Sequence, residues 1–330
     1  MLKIENTIFE INSETDFEEH ALLVYRQQFT RNVLYRQWCT HLRRGPSQVK
    51  KLSDIPFLPI TFFKEHRVLS APESEKTILF TSSGTTGSVT AKHIVTDPEL
   101  YETSFFKTFE IFYGDPAQYC ILALLPGYLE RKTSSLVYMV QKLIEVSKHP
   151  DAGFYLRDQQ NLLEKIRKLK VKGQKVLLIG VSYALLDLCE LDPQLGPNFI
   201  VMETGGMKGT RREMLKPELH ETLKKGLGVD SIHSEYGMTE LLSQAYSRGD
   251  GLFEGPPWMR FLIRETDDPL KYREDSRTGG INVIDLANIN SCAFIATQDL
   301  GRLHENGKLE LMGRFDNSDV RGCNLMLGGL

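Results

Sequence analysis

The chain has 330 residues, of which 41% are hydrophobic and 25% charged, and a formal net charge of -3 from 40 basic and 43 acidic side chains. That length suits about two domains of roughly 150 residues, and the composition excludes disordered and collagen-like chains. The near-balance of charge leaves no excess to hold a nucleic-acid backbone or an anionic membrane.

Five cysteines, Cys39, Cys120, Cys189, Cys292 and Cys323, stand without a CxxC pair. Their odd number and scatter argue against a disulfide framework or zinc knuckle and for a reducing cytoplasm. The start, MLKIENTIFEI, shows no leader pattern, and apolar runs such as CILALLP (120–126) fall short of the roughly 20 residues that span a bilayer, so no transmembrane segment is expected.

From Thr15 to about Arg44 the chain lacks Pro and Gly inside a spacing of threes and fours (Phe17, Ala21, Leu22, Tyr25, Phe29, Val33, Leu34), which predicts a helical layer. In DIPFLPITFFKEH (54–66) two prolines preclude a regular helix and predict an extended segment laid on a core. The runs TILFT (77–81), CILALLP, KVLLIGV (175–181) and NFIVMET (198–204) then alternate with helical stretches near 97–113, 133–148, 158–172 and 210–226. This alternation predicts βαβ units and a mostly parallel, buried sheet. From Gly279 the runs INVIDLA, CAFIAT and KLELMG, joined by turns, predict an antiparallel or barrel-like strand set. We therefore expect a helical and extended segment over 1–75, an α/β core over 76–278 and a β-rich segment with a short tail over 279–330.

Four loops carry chemistry. In FTSSGTTGSVTAKH the strand runs into Ser82, Ser83, Gly84, Thr85, Thr86 and Gly87. Glycines allow tight turns that expose backbone N–H groups, and hydroxyls add neutral donors, so this loop can wrap a polyphosphate. It is neither a Walker A loop nor GxGxxG. In SEYGMTE (234–240), Tyr236 offers a face for a base, Thr239 a hydroxyl for phosphate and Glu240 a hard oxygen ligand of the kind Mg²⁺ selects. TQDLGRL (297–303) sets Asp299 at an expected strand–turn boundary, where a carboxylate could accept two ribose hydroxyls, and MGRFDNSDVRG (312–322) brings Arg314, Asp316 and Arg321.

In this order the four segments resemble the core motifs of the adenylate-forming superfamily of acyl and aryl ligases, which make acyl-AMP from a carboxylic acid and ATP. METGGMKG (202–209) also looks like that superfamily's glycine turn against the adenine. The resemblance implies ATP and Mg²⁺, with Thr81 to Gly87 at the pyrophosphoryl end and Gly205, Gly206, Tyr236 and Gly237 around the adenine. It also implies Thr239 for the α-phosphate, Glu240 as catalytic residue and metal ligand, and Asp299 and Arg314 for the ribose. Departures accompany it: Ser88, Val89, Thr90 and Ala91 precede Lys92 where a loop lysine usually comes sooner, and Gln298 replaces a glycine. With the chain ending at Leu330, the small C-terminal domain that bears the adenylation lysine is expected to be missing or vestigial.

A narrower family is similar in length, in the IPFLPITFFK-like segment and in a cysteine near the C-terminus: the acyl-protein synthetases of bacterial bioluminescence, or long-chain-fatty-acid luciferin-component ligases. That resemblance implies a fatty acid substrate, a tail cysteine, here Cys323, taking the acyl group as a thioester, and an acceptor or reductase protein as partner. Cys323 also reads as a small buried hydrophobe, although neighbouring Arg321 would favour its thiolate over the ordinary pKa of about 8.5.

Other readings stay open on the sequence. GVSYA (180–184) follows a strand like a nucleophile elbow, which would make Ser182 a hydrolase or acyltransferase nucleophile served by His220, His233 or His304. Coenzyme A could be the acceptor, as in phenylacetate-type ligases, or the chain could bind adenylate without catalysis.

Overall fold

The computed structural model describes residues 4–82, 89–125, 133–155, 159–205, 214–273 and 276–315. Helices form where the periodicity asks for them, and polar side chains cap several of their starts. Ser13 caps Glu14–Arg31 by accepting from the Asp16 amide at 3.2 Å. The predicted single helical stretch breaks at Asn32, which adopts extended backbone and accepts from the Tyr35 amide at 2.9 Å to start Val33–His41. That break is tertiary in origin, because Asn32 Nδ2 also donates to the Ser291 carbonyl at 3.0 Å, far along the chain. The proline-rich segment is extended only over Leu58–Pro59, which pairs with the strand Phe294–Leu303, and then coils into a single turn, Phe62–Glu65.

The central sheet has the order Gly153–Phe154, Cys120–Leu124, Val176–Gly180, Phe199–Glu203, Ile232–Tyr236 and Ala245–Ser247. All neighbours are parallel except the last pair. Cys120–Leu124 and Val176–Gly180 are buried at every position, the continuous apolar pattern expected when helices cover both faces. Consecutive residues of Ile232–Tyr236 report those covers, since side chains alternate across a sheet. His233 meets Tyr113 of the helix Pro98–Tyr113, and Ser234 meets His220 of the helix Lys216–Leu227.

One predicted member of this sheet lies elsewhere. Ile78–Thr81 pairs antiparallel with Lys92–Val95 as a separate hairpin, not with the parallel strands. The Ser/Thr/Gly loop therefore joins two strands of a ribbon rather than a strand and a helix.

A second, antiparallel sheet has the order Leu252–Phe253, Leu309–Arg314, Phe294–Leu303, Gly279–Asp285 and Met259–Arg264; the three strands from Gly279 on match the expectation, whereas Leu252–Phe253 and Met259–Arg264 come from the stretch assigned to the α/β core. Asp299 lies inside the long strand and not at its end, opposite Arg314, beside a register shift between Leu300 and Gly301. The N-terminal helices pack on this sheet through Tyr25 and Tyr35, whose rings lie 6.4 and 6.0 Å from that of Phe294. Among the described residues no helix is long and apolar enough to cross a membrane.

Candidate active site

Parallel strands all end on one side of their sheet, and in open α/β sheets the crevice outside those ends, where the winding order reverses, is where ligands bind. Here the order reverses at Cys120–Leu124, from which successive strands run outward on both sides. The glycine turn follows Glu203 and the SEYGMTE turn follows Tyr236, both at the carboxyl ends.

Folding brings Tyr236, Asp299 and Arg314 together. The Tyr236 hydroxyl donates to Asp299 Oδ2 at 2.9 Å and Arg314 Nε donates to Oδ1 at 2.8 Å, so both carboxylate oxygens are held. Tyr236 is buried between Phe253 and Phe261, with centroids 6.0 and 6.1 Å away. Burial first, and then Asp299, push its phenol well above the ordinary range, so it is a neutral donor.

The Asp299 backbone is fixed in turn. Its amide donates to Thr297 Oγ1 at 3.1 Å, and that hydroxyl donates to the Ile281 carbonyl at 2.9 Å. Arg264, which the sequence did not single out, is buried beneath and donates to the Ile281 carbonyl at 2.7 Å, Asn282 Oδ1 at 2.8 Å and the Thr297 carbonyl at 2.5 Å. Gly280 makes room for it: a Cβ there would stand 2.5 Å from the guanidinium carbon. Only that glycine, inconspicuous in the sequence, hinted at the arginine.

Glu240 is 6% exposed. Burial pushes its carboxyl up to about 7, Arg314 and Lys64 offset part of the shift, and among the described residues it has no ion pair. A buried carboxylate whose charge is so poorly compensated suits a cation. No group of three or more metal-ligating side chains accompanies it among the described residues. A single carboxylate is compatible with Mg²⁺, which is commonly held by one or two carboxylates plus phosphate oxygens and water. The turn that carries Thr239 and Glu240 is gripped by buried side chains. His93 Nδ1–H donates to the Thr239 carbonyl at 2.7 Å and Asn288 Nδ2 donates to the Glu240 carbonyl at 2.7 Å. Burial lowers the His93 pKa to about 4, so the ring has one N–H; the short Nδ1 contact takes it and leaves Nε2 packed 3.1 Å from Asn288 Oδ1.

Two of the proposed loop residues, Thr81 and Ser82, form the base of the hairpin. Thr81 Oγ1 lies 2.6 Å from Thr133 Oγ1, and Ser82 Oγ accepts from the Ala91 amide at 2.9 Å. Ser83, Gly84, Thr85, Thr86 and Gly87, together with Gly206 and Cys323, lie outside the described residues. Gly205 has φ +74°, which favours glycine, and its amide donates to Glu203 Oε2 at 2.7 Å.

The elbow reading of Ser182 fails on geometry. Ser182 begins the helix Ser182–Cys189 after an extended Val181 and is not among the residues of positive φ, so the strained turn of a nucleophile elbow is absent there. It is 1% exposed and its hydroxyl donates to Glu203 at 3.4 Å, while His220 faces the same carboxylate at 3.5 Å. Serine and histidine thus both address the acid, and among the described residues no base is aimed at the serine. His233 pairs with Tyr113 and His304 with Glu310. Of the four described cysteines, Cys39, Cys120 and Cys292 are buried, and desolvation pushes each thiol up, Cys39 and Cys120 to about 12, which makes them poor nucleophiles.

The fold agrees with known proteins. The chain is 14% identical to 2-hydroxyisobutyryl-CoA ligase solved with 2-HIB-AMP and CoA, with a TM-score of 0.65 over 96% of this chain and 74% of that one. It is 16% identical to ATP-bound MatB from Rhodopseudomonas palustris, with a TM-score of 0.54 over 72% of this chain. The match spans 47% of that MatB chain, less than half its length. At such identities the likeness shows the adenylate-forming fold. In sequence the chain is 24% identical over 326 residues to the long-chain-fatty-acid–luciferin-component ligase of Vibrio harveyi, covering 92% of this chain and 85% of that one. The Aliivibrio fischeri protein of the same name is 22% identical with the same coverage. The family described as "Acyl-protein synthetase, LuxE" matches residues 9–329, and the chain belongs to that family.

Proposed function

We propose that this protein activates a carboxylic acid with ATP to an acyl adenylate and passes the acyl group to a thiol, its own Cys323. The observation that carries the reading is the meeting of Tyr236, at the carboxyl end of its parallel strand, with Asp299 and Arg314 of the second sheet, next to the turn that bears the buried Glu240, in a chain of this family. A carboxylate oxygen of the acid attacks the α-phosphorus, the bond to the bridging oxygen breaks, and pyrophosphate leaves. The Cys323 thiolate then attacks the acyl carbon, the bond from that carbon to the AMP oxygen breaks, and AMP leaves. The names of the curated relatives support a long-chain fatty acid as substrate.

In this reading Glu240 and Thr239 face the phosphates, and Glu240 would hold Mg²⁺. That ion supplies charge neutralisation at the phosphate oxygens. Asp299 is oriented by Arg314 and by the neutral Tyr236 hydroxyl, ready to accept ribose hydroxyls. The loop 83–88, carried by a two-stranded ribbon whose base is stapled by Ser82 and Thr81, would donate to the departing pyrophosphate.

Acid-dependent ATP–pyrophosphate exchange across fatty, aryl and amino acids tests the first half; no exchange with any of them sinks it. For the second half, Cys323→Ser is expected to keep exchange and to lose hydroxylamine-labile label from radioactive fatty acid and ATP. Label retained by the variant, or never acquired by the wild type, removes the cysteine from the mechanism and leaves coenzyme A or a carrier as acceptor.

A further inference from the structure

After Tyr236 the chain leaves the sheet, and residues 237–244 form an irregular turn with no strand partner. Its polar backbone must be satisfied by something else. Three buried side chains from two other elements do it. His93, 1% exposed, donates to the Thr239 carbonyl at 2.7 Å, and Asn288, 0% exposed, donates to the Glu240 carbonyl at 2.7 Å. Asp285, also fully buried, accepts from the amides of Leu242 and Ser243 at 2.7 and 2.9 Å and from the Ser243 hydroxyl at 2.6 Å.

The origins of these side chains matter. His93 lies on Lys92–Val95, the returning strand of the hairpin that carries the loop 83–88. Asp285 and Asn288 lie where the strand Gly279–Asp285 passes into the turn Leu286–Asn288, in the sheet that carries Asp299. The ring of Phe63 stands edge-on to His93 at 5.6 Å and blocks its retreat. Two separate pieces of the chain are thereby tied to one turn through its backbone.

We infer that His93, Asn288 and Asp285 are positioning residues, which act through the main chain to set where Thr239 and Glu240 stand relative to the hairpin strands Ile78–Thr81 and Lys92–Val95. The inference rests on the reading that Thr239 and Glu240 serve the nucleotide. None of the three needs to touch substrate. What they fix is the register between the two halves of the phosphate site, and an error of about an ångström in such a register is costly to rate.

A purely structural role would lower folded protein without changing the kinetics of what remains. The test therefore compares His93→Leu, which removes the donor, with His93→Gln, which retains an N–H, and follows thermal unfolding alongside pyrophosphate exchange. For His93→Leu we expect kcat to fall tenfold or more and the Mg²⁺ concentration for half-maximal rate to rise several-fold, with KM for the acid unchanged. His93→Gln should recover most of both losses. Wild-type kcat and Mg²⁺ dependence in folded His93→Leu overturn the inference, as does an equal loss in His93→Gln. If His93→Leu does not fold, Asn288→Ala, which removes the donor to the Glu240 carbonyl, carries the same expectation and the same refutation. Glu240→Gln is the control. Wild-type exchange in that variant overturns the reading of Glu240 and this inference with it, whereas its loss beside unaffected clamp variants overturns the inference alone.

Discussion

At the residue scale, Glu240 and Asp299 differ in how the fold treats their charge. Asp299 is paired on both oxygens, and Glu240 is buried without an ion pair among the described residues. Glu240→Gln keeps the shape and removes the charge, so exchange should be largely abolished while the unfolding midpoint stays the same or rises. Asp299→Ala should chiefly weaken nucleotide binding, since charge-assisted hydrogen bonds are worth about 1.5 to 3 kcal/mol each, and its KM for ATP should rise far more than kcat falls. Exchange at the wild-type rate in both variants would remove the motif from the site. His233 gives a pH prediction. Burial first, then Arg248, lowers its pKa from 6.5 to about 4, so the unfolded chain binds a proton there that the native chain does not. Stability should fall as the pH drops from about 6.5 towards 4, and part of that slope should vanish in His233→Phe, as followed by urea unfolding across that range.

At the element scale, the helix Pro98–Tyr113 was legible because every device that makes it is local. Asp97 accepts from the amides of Glu99 and Leu100 at 3.1 and 3.3 Å, Pro98 opens the first turn and Gly114 closes the last. Asp97→Ala should cost about 1 kcal/mol of stability by denaturant titration and leave KM values alone. The strand Ile78–Thr81 was misassigned for the opposite reason. Its apolar run has the length and composition of a parallel strand, and its true partner, Lys92–Val95, lies beyond the glycine-rich loop. Periodicity reports burial and says nothing about which strand lies alongside.

At the scale of the whole molecule, the N-terminal helices are bound to the second sheet by polar as well as apolar contacts. Gln28, fully buried, donates to the carbonyls of Asn288 and Ile289 at 3.1 and 2.9 Å and accepts from the Ala293 amide at 3.0 Å. Gln28→Leu preserves volume but strands three backbone groups, and each unsatisfied group costs about 1 to 3 kcal/mol. We expect a drop of several kcal/mol in a single cooperative transition; a separate early transition of the N-terminal layer would show that it is not integral to the sheet. The sequence by itself determined the alternation of strands and helices and the antiparallel finish, and singled out Tyr236, Glu240, Asp299 and Arg314 as candidates, because those depend on short-range periodicity and contiguous motifs. Only the tertiary structure decided that Asp299 and Arg314 face each other across a strand pair, that Arg264 lies beneath them in the space left by Gly280, and that His93, Asp285 and Asn288 hold the Glu240 turn. Those contacts join residues far apart in the chain, and a buried donor announces its acceptor only once the fold has removed water from both.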